Sequence, residues 1–280
     1  MKFEPRATDH SVNVTARHPL ADATVLVLGL GAVLLLVTIV LAFFADALVA
    51  RISIKTEMRW FGGMSLPAVV EELEDASSTE EQALSDLLAR LTQHWESDYS
   101  FRLRISEDAA PNALAFPGGL IVVTRGLLDG VESENELAFV LAHELGHFRN
   151  RDHLRGLGRG AAIALVIGTV TSGGSGGFGF GVADIALRGF GREQETDADV
   201  FALGLVYAEY GHVGESWRFF ERIRSAYGSG NAVLNYLETH PLPGSRIDEL
   251  REMARERGWP TEGTLVPWNP RDPGSDTPQD

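Results

Sequence analysis

The sequence predicts an α+β protein that is mainly helical, in which one membrane-spanning helix precedes a domain with a small β-sheet. Residues 23–45 carry no charge and are rich in Leu and Val. Several later segments repeat apolar residues at the spacing of amphipathic helices. Only residues 99–124 show the alternation and the Pro-Gly-Gly turn that are typical of strands and a hairpin. Helices therefore dominate, and the sheet is small.

The composition excludes several classes of function. The chain has 280 residues and a formal net charge of −15. An acidic surface argues against nucleic acid as a partner, because binding to phosphates requires basic patches. The chain contains no cysteine, which excludes disulfides, cysteine nucleophiles and thiolate metal sites. Any metal ion must therefore be held by histidine and carboxylate side chains.

The N-terminal part is predicted to be a membrane anchor. Residues 1–20 form a polar tail, and residues 21–48 contain the apolar run, which at about 1.5 Å per residue crosses a hydrocarbon core roughly 30 Å thick. A cleaved signal peptide is the alternative, supported by the Ala-Asp-Ala sequence at residues 45–47. However, the run is too long for a signal peptide and does not follow a short basic segment. We therefore expect a single-pass anchor in which residues 23–45 contact lipid.

The first elements of the following domain are indicated by local patterns. Residues 78–81 have the form of a capping box, and apolar residues at helical spacing continue to about Trp95. Residues 99–106 alternate between polar and apolar like a strand. Two short apolar runs within residues 112–124 flank the Pro-Gly-Gly sequence at residues 117–119, which predicts a β-hairpin with a tight turn.

The second half of the domain is predicted to be helical. A second capping box at residues 133–136 begins the next helix. The apolar residues 161–171 are too few to cross a bilayer, and we expect a buried helix there rather than a segment that dips into the membrane. Glycines predict a flexible loop over residues 172–181. Further helices are expected over residues 193–211, 215–227, 231–239 and 246–257.

The domain that follows the anchor is predicted to cover residues 49–258. It is expected to end where the composition of the chain changes. Residues 259–280 are rich in Pro, Asp and Thr and have few apolar side chains to bury. They are therefore predicted to form a disordered acidic tail.

One of the predicted helices carries the pattern H-E-x-x-H. His143 and His147 are four residues apart, so both rings lie on the same face of the helix and can bind one metal ion. Glu144 stands beside the first histidine. Two imidazoles on one metal with an adjacent carboxylate are typical of a zinc protease, in which the carboxylate is the general base.

A hydrolytic zinc site requires a third protein ligand, and two candidates exist. Glu195 and Asp199 lie four residues apart on a later predicted helix, where the first can bind the metal and the second can accept a hydrogen bond from a ligand histidine. His153 instead has the spacing of the third ligand in metzincins. However, Asn150 stands where metzincins have a glycine, and Met253, the one methionine after His153, lies in a charged helix rather than a Met-turn.

Four blocks in this order resemble the membrane-associated gluzincin metallopeptidases of the HtpX and CAAX prenyl protease type, metallopeptidase family 48. The blocks are residues 112–128, 142–147, 192–199 and 239–247. The resemblance implies a zincin-like peptidase domain with one Zn²⁺ per chain, bound by His143, His147 and Glu195. It also implies that Glu144 is the catalytic base and that Asp199 orients a ligand histidine. HtpX-type relatives carry further transmembrane helices between the metal motifs, whereas this chain shows one convincing span.

Two further features are candidates for roles in catalysis. The oxyanion formed by attack on a peptide carbonyl requires hydrogen-bond donors, for which His240 and Arg246 are candidates. The alternative role for either residue is to hold the C-terminal helices together. His240 is also a candidate fourth ligand that inhibits the enzyme.

One strand of the hairpin is a candidate for substrate binding. An exposed edge strand can bind an extended peptide through main-chain hydrogen bonds. The alternative is that this strand belongs only to the core sheet. The residues of this candidate strand are Asn112, Ala113, Leu114, Ala115 and Phe116.

The sequence therefore predicts a membrane-anchored zinc endopeptidase that cleaves protein or peptide substrates, including misfolded or membrane proteins, at a bacterial inner or cell membrane. The first alternative is a metzincin-type protease that uses His153. The second is a non-catalytic membrane scaffold or chaperone-like binder with the same fold. The presence of Glu144 beside all three ligands argues against a binder, because a binder does not need a general base.

Overall fold

The computed structural model of the chain describes residues 19–63, 79–170, 191–226, 239–240 and 245–269, without the side chains of residues 167–170. Several predictions fall outside these residues. They are the polar tail over residues 1–18, Ser78 of the first capping box, the glycine-rich loop, most of the helix over residues 231–239, and the end of the tail at residues 270–280.

The described chain begins with a long apolar helix, α1 (Pro19–Val49). Most of its Leu, Val and Phe side chains are exposed. Among the residues described, it is the one helix whose length and composition would allow it to cross a membrane. A short helix, α2 (Ile54–Phe61), follows directly, and the Ser53 hydroxyl accepts a hydrogen bond from the backbone N–H of Thr56 at its start.

Three strands form a small mixed sheet in the order β1-β3-β2. They are β1 (Arg102–Ser106), β2 (Ala113–Phe116) and β3 (Leu120–Thr124). The predicted hairpin is confirmed as the antiparallel pair of β2 and β3. Its turn contains Gly118 and Gly119 with φ of 81° and 75°, a conformation that glycine adopts without strain. The sequence did not predict that β3 also pairs in parallel with β1, which makes β3 central and β2 an edge strand.

Seven further helices lie within the described residues. They are α3 (Thr79–Gln93), α4 (Arg125–Gly130), α5 (Glu134–Asn150), α6 (Asp152–Val170), α7 (Arg192–Tyr210), α8 (Arg218–Ala226) and α9 (Arg246–Glu256). Helix α5 packs against α7, α3, α8 and β2. All its residues from 135 to 148 are buried, and its apolar side chains form the centre of the main hydrophobic core. This helix carries the H-E-x-x-H pattern, so the pattern lies in the interior of the domain.

Both ends of α5 are fixed by local hydrogen bonds. The Ser133 hydroxyl accepts a hydrogen bond from the N–H of Glu136, as predicted. The reciprocal half of the capping box is absent from the described contacts, because the Glu136 carboxylate accepts from the N–H of Glu132 instead. The helix ends where Arg151 adopts a left-handed conformation with φ of 60°. Helix α6 begins at the next residue, so the chain turns sharply just after the histidines.

Helix α6 runs antiparallel to α1 and contacts it along much of its length. A side chain at Gly158 would meet Ala45 of α1. Ala162 and Ala164 are buried, whereas Leu165 is 49% exposed. The apolar residues 161–170 are therefore helical, as expected, but this part of α6 packs on α1 and is only partly buried.

The prediction of a disordered tail is wrong over residues 259–269. The N–H of Val213 donates a hydrogen bond to the carbonyl of Pro260, and the N–H of Glu134 donates to the carbonyl of Val266, at 2.8 and 2.7 Å. The first turn of a helix has backbone N–H groups without intrahelical partners. This segment satisfies one of them at the start of α5, and its tryptophans, Trp259 and Trp268, pack partly buried against the main core.

Candidate metal centre

The centre is formed where α5 and α7 cross in close contact. A methyl group on Gly146 would lie 2.7 Å from the Cα atom of Ala198, so only glycine allows the two backbones to approach this closely. Ala198 lies between Glu195 and Asp199 on α7. The close crossing therefore places both carboxylates opposite the histidine-bearing face of α5.

Four buried side chains converge at this crossing: those of His143, His147, Glu195 and His240. One ligand atom from each lies within 4.8 Å of all the others. The Nε2 atoms of His143 and His147 are 3.1 Å apart, and Oε1 of Glu195 is 3.3 Å from Nε2 of His147. The structure thus brings together the three predicted ligands, together with His240.

The chemistry of these donors fits a divalent metal ion. When two ring nitrogens face each other at hydrogen-bond distance, at most one of them can donate a proton to the other. Lone pairs of nitrogen and carboxylate oxygen therefore point towards a common position that a cation can occupy. Imidazole nitrogen and carboxylate oxygen in this combination are the ligands of hydrolytic zinc sites.

The second nitrogen of each histidine on α5 is held by a carboxylate. Nδ1 of His143 lies 2.9 Å from Oδ1 of Asp199, the contact that the sequence predicted. Nδ1 of His147 lies 3.0 Å from Oδ2 of Asp152, whose other oxygen accepts a hydrogen bond from the Gln194 amide. A hydrogen bond from Nδ1–H to a carboxylate fixes the tautomer and leaves Nε2 free to bind a metal.

The contact of Asp152 with His147 was missed by sequence reasoning. Asp152 lies five residues after His147, whereas helical periodicity associates residues three or four apart. Only the left-handed turn at Arg151 brings the carboxylate back to the ring. An acidic residue just beyond the end of an H-E-x-x-H helix was the one signal that the sequence offered.

Arg246 of α9 joins the two carboxylates of α7. Its Nε and Nη2 atoms donate to the two oxygens of Asp199, each at 2.7 Å. Its Nη1 atom donates to Oε2 of Glu195, also at 2.7 Å. The guanidinium group lies over the ring of Phe220, 4.2 Å from its centroid. The arginine is placed to hold both carboxylates in position.

His240 and Glu144 face each other beside the three predicted ligands. Nδ1 of His240 is 3.1 Å from Oε1 of Glu195 and 3.3 Å from Nε2 of His143. Its Nε2 atom is 3.6 Å from Oε1 of Glu144. Oε2 of Glu144 is buried and has no hydrogen-bond partner within the described residues. A buried carboxylate oxygen without a donor is costly, which suits a group that accepts a proton from a bound molecule.

The local charges keep both carboxylates of α7 ionised. Burial raises the pKa of Glu195, but the nearby His240 and His143 outweigh this effect and hold that pKa well below its usual range. Burial likewise raises the pKa of Asp199, and the charge of Arg246 reverses the shift to a net lowering. Both side chains are therefore available as anions near neutral pH.

The same charges act on the histidines. Burial lowers the pKa of His147, but hydrogen bonds to Asp152 and Glu195 raise it to about 9. The pKa of His143 is also raised in spite of its burial, chiefly by the charge of Glu195. Burial lowers the pKa of His240. A raised histidine pKa opposes loss of the ring proton, so metal binding by the α5 histidines will be favoured at higher pH.

His153 does not join the metal-ligand group, so the structure does not support the metzincin alternative. The left-handed turn at Arg151 directs the chain into α6 and away from the centre. Nε2 of His153 lies 2.8 Å from Oε1 of Glu57, and its ring packs on Phe148 with centroids 4.6 Å apart.

The predicted edge strand β2 lies beside α5. Asn112 and Thr124 form a hydrogen-bonded pair, with the N–H of Thr124 donating to the carbonyl of Asn112. Because such pairs alternate along an antiparallel ladder, Leu114 bonds to β3 and the N–H and C=O of Ala115 point to the opposite side. Within the described residues no strand pairs with β2 on that side. Its outer edge can therefore accept another strand.

Comparison with known proteins yields one family and several relatives. The sequence model of the family described as Peptidase family M48 matches residues 78–254. The chain is similar to the mitochondrial metalloendopeptidase OMA1 of Schizosaccharomyces pombe, with 30% identity over 167 residues, which are 57% of this chain and 48% of that protein.

Two further relatives come from bacteria. A putative beta-barrel assembly-enhancing protease of Vibrio cholerae is 29% identical over 169 residues, which are 56% of this chain and 35% of that protein. A protease HtpX homolog of Salinibacter ruber is 38% identical over 85 residues, 29% of this chain and 30% of that protein. The chain thus matches between about a third and a half of the length of these relatives.

Proposed function

The chain belongs to peptidase family M48, and from this premise we propose that it is a membrane-anchored zinc endopeptidase that cleaves protein substrates. The observation that carries the proposal is the convergence of His143, His147 and Glu195, named here the ligand triad, beside the buried carboxylate of Glu144. Family membership makes the chain a metallopeptidase. The zinc ion, the cleavage of internal peptide bonds and the anchoring in a membrane are the proposed parts.

The residues of the centre divide the catalytic work. Zinc held by the ligand triad supplies Lewis-acid chemistry, lowering the pKa of water towards about 7 and polarising a carbonyl group. Glu144 accepts the proton of the attacking water and passes it to the leaving amine. Asp199 and Asp152 hold the imidazole rings with Nε2 directed to the centre. Arg246 keeps the carboxylates of Glu195 and Asp199 in place and ionised.

His240 has two proposed roles. As a donor near Glu144, it would stabilise the oxyanion of the tetrahedral intermediate. As a fourth ligand, it would close the position that a catalytic zinc site keeps open. The second role is favoured in the described arrangement, because Nδ1 of His240 lies 3.1 Å from Oε1 of Glu195 and 3.3 Å from Nε2 of His143. Activity then requires His240 to leave that position. Arg246 fits a supporting role better than that of an oxyanion donor, since its guanidinium bonds to Asp199 and Glu195.

We assign the outer edge of β2 to substrate binding. A peptide in extended conformation can pair with this edge through main-chain hydrogen bonds, which makes the enzyme tolerant of different side chains. The strand packs beside α5, the helix that carries Glu144. This mode suits unfolded polypeptides. The relative in Vibrio cholerae carries the name of a beta-barrel assembly-enhancing protease. On this basis we include membrane proteins among the proposed substrates.

Replacing Ala115 with proline is expected to weaken substrate binding. Proline removes the outward N–H, while the hydrogen bonds of β2 to β3 involve the neighbouring residues. We expect KM for an unfolded protein to rise by about tenfold, roughly the value of one lost hydrogen bond of about 1.4 kcal/mol. Steady-state kinetics of Ala115→Pro and of the control Ala115→Ser, which keeps the N–H, measure this effect. Equal KM values for the two variants would place the peptide elsewhere.

The proposed function is tested by removing and restoring the metal. We expect the full-length protein in detergent micelles to contain one zinc per chain and to cleave an unfolded protein at internal bonds. A chelator should abolish cleavage, and addition of zinc should restore it, with mass spectrometry identifying the fragments. Release of single terminal residues would contradict an endopeptidase, and cleavage that survives removal of the metal would contradict the zinc mechanism.

A further inference from the structure

Glu57 on α2 is a fully buried carboxylate that lies outside the metal-ligand group. Its Oε1 atom accepts hydrogen bonds from the N–H of Gly118 and from Nε2 of His153, at 3.0 and 2.8 Å. Its Oε2 atom accepts from the hydroxyl of Tyr99 and from Nη2 of Arg151, at 2.7 and 2.9 Å. One side chain of α2 thus joins three separate parts of the chain: Tyr99, the turn at Gly118, and the turn that contains Arg151 and His153.

Such a network is not needed for stability alone. Burying a charge costs several kcal/mol even when it is paired, and apolar replacements of buried ion pairs are often neutral or stabilising. Burial raises the pKa of Glu57, but its bonds to His153, Gly118 and Tyr99 lower it to about 2. The carboxylate is therefore fully ionised and can hold all its donors in fixed positions.

Two of these donors flank a residue of the metal centre. Arg151 and His153 stand on either side of Asp152, which holds the ring of His147. Arg151 is the left-handed residue between α5 and α6. By holding both neighbours, Glu57 fixes the turn that directs the Asp152 carboxylate to Nδ1 of His147.

The other connections lead to the edge strand and to the anchor. Gly118 lies in the turn that directly follows β2, so its bond to Glu57 sets the position of the end of that strand. Nη1 of Arg151 donates to the carbonyl of Ile52 and lies 3.5 Å from the carbonyl of Val49 at the end of α1. The same network therefore links the end of the anchor helix to the metal centre and to the strand beside it.

We propose that Glu57 is a positioning residue for the peptidase reaction, holding the metal-binding helix and the edge strand in one fixed arrangement relative to the anchor. The expected effect of Glu57 on kcat rests on the proposed function. The expected effect of Glu57 on zinc affinity does not depend on cleavage. Glu57 acts through Arg151, His153 and Gly118, and contacts neither the ligand triad nor Glu144.

The test compares Glu57→Gln with Glu209→Gln in the full-length protein in detergent micelles. Glu209 serves as the control, because its carboxylate also accepts from side chains that are distant along the chain, Arg90 and His94, each at 2.9 Å, but neither of them contacts the metal centre. We expect the zinc dissociation constant of Glu57→Gln to rise by about 10–100-fold, as for other groups that orient a ligand. We expect kcat at saturating zinc to fall, with Glu57→Asp partly restoring both quantities. The control should match the wild type.

Zinc affinity and kcat for Glu57→Gln equal to those of the control would overturn the proposal. If wild type binds zinc but cleaves nothing, the proposed function fails, while the zinc affinity of Glu57→Gln still decides the positioning role. If circular dichroism shows that Glu57→Gln does not fold, the variant His153→Gln is used in its place, because it changes only one of the four hydrogen bonds to Glu57. At least a tenfold loss of zinc affinity in that variant supports the proposal, and unchanged affinity overturns it.

Discussion

Replacing Glu144 with glutamine is expected to lower kcat by about 10²–10⁴-fold, the usual contribution of a general base. The amide has nearly the same size and shape as the carboxylate but cannot accept the proton of water. Glu144 is not a member of the metal-ligand group, so zinc should remain bound at one ion per chain. The predicted result is a folded, metal-loaded protein that does not cleave its substrate.

Three measurements on the same preparation check this result: zinc content, thermal unfolding and the rate of cleavage of an unfolded protein. Glu134→Gln is a suitable control, because Glu134 lies at the start of the same helix and pairs with Arg90 and Tyr210, away from the centre. A Glu144→Gln variant within tenfold of wild-type activity would transfer the role of base to another group, for which His240 is the nearest candidate. A non-catalytic binder would show no cleavage in either protein and equal binding of the unfolded chain.

The parts of the fold that the sequence predicted correctly depend on contacts between near neighbours. The Pro-Gly-Gly turn at residues 117–119 determines the hairpin, because its glycines adopt positive φ. Ser133 begins α5 through a hydrogen bond to a residue three positions later. Glu195 and Asp199 share a helical face because they are four residues apart. In each case a short-range rule gives the geometry without knowledge of the rest of the chain.

The parts that the sequence did not predict depend on pairs that are distant along the chain or on a single backbone torsion. The parallel pairing of β1 with β3 joins residues that local patterns cannot match. The bond of Glu57 to His153 spans 96 residues, and nothing in the composition of α2 marks its glutamate as buried. The contact of Asp152 with His147 requires a left-handed Arg151, a conformation that is uncommon for any residue except glycine.

The role of Arg246 also depends on tertiary structure that the sequence does not predict. From the sequence, Arg246 is a cation within the block at residues 239–247 and a candidate for stabilising an oxyanion. Its actual neighbours are Asp199 and Glu195, because α9 packs against α7. The position of α9 is a tertiary feature, so the sequence could indicate that the arginine belongs to the centre but not which group it contacts.

Replacing Glu195 with glutamine is expected to reduce zinc affinity by more than about 100-fold. Loss of a residue that only orients a metal ligand typically reduces the affinity by about 10–100-fold, and Glu195 is proposed to bind the metal directly. The amide oxygen is neutral, so the ion loses the one negative charge in the ligand triad. The fold should persist, because the amide oxygen can still accept the hydrogen bond that Arg246 donates to Oε2. Cleavage at physiological zinc concentrations should be lost together with the metal.

Competition with a chelator of known affinity measures this loss, and Glu193→Gln provides the control. Glu193 lies on the same helix as Glu195 but is exposed to solvent, so its replacement removes the same charge without touching the centre. Wild-type zinc affinity in Glu195→Gln would exclude Glu195 as a ligand and make His240 the third one, since it is the remaining residue of the group. In that case the carboxylate would serve only to orient His240, to which it lies 3.1 Å away. We expect the opposite, because His240 lies outside the helices α1–α9, whereas Glu195 is fixed by the close crossing of α5 and α7 at Gly146.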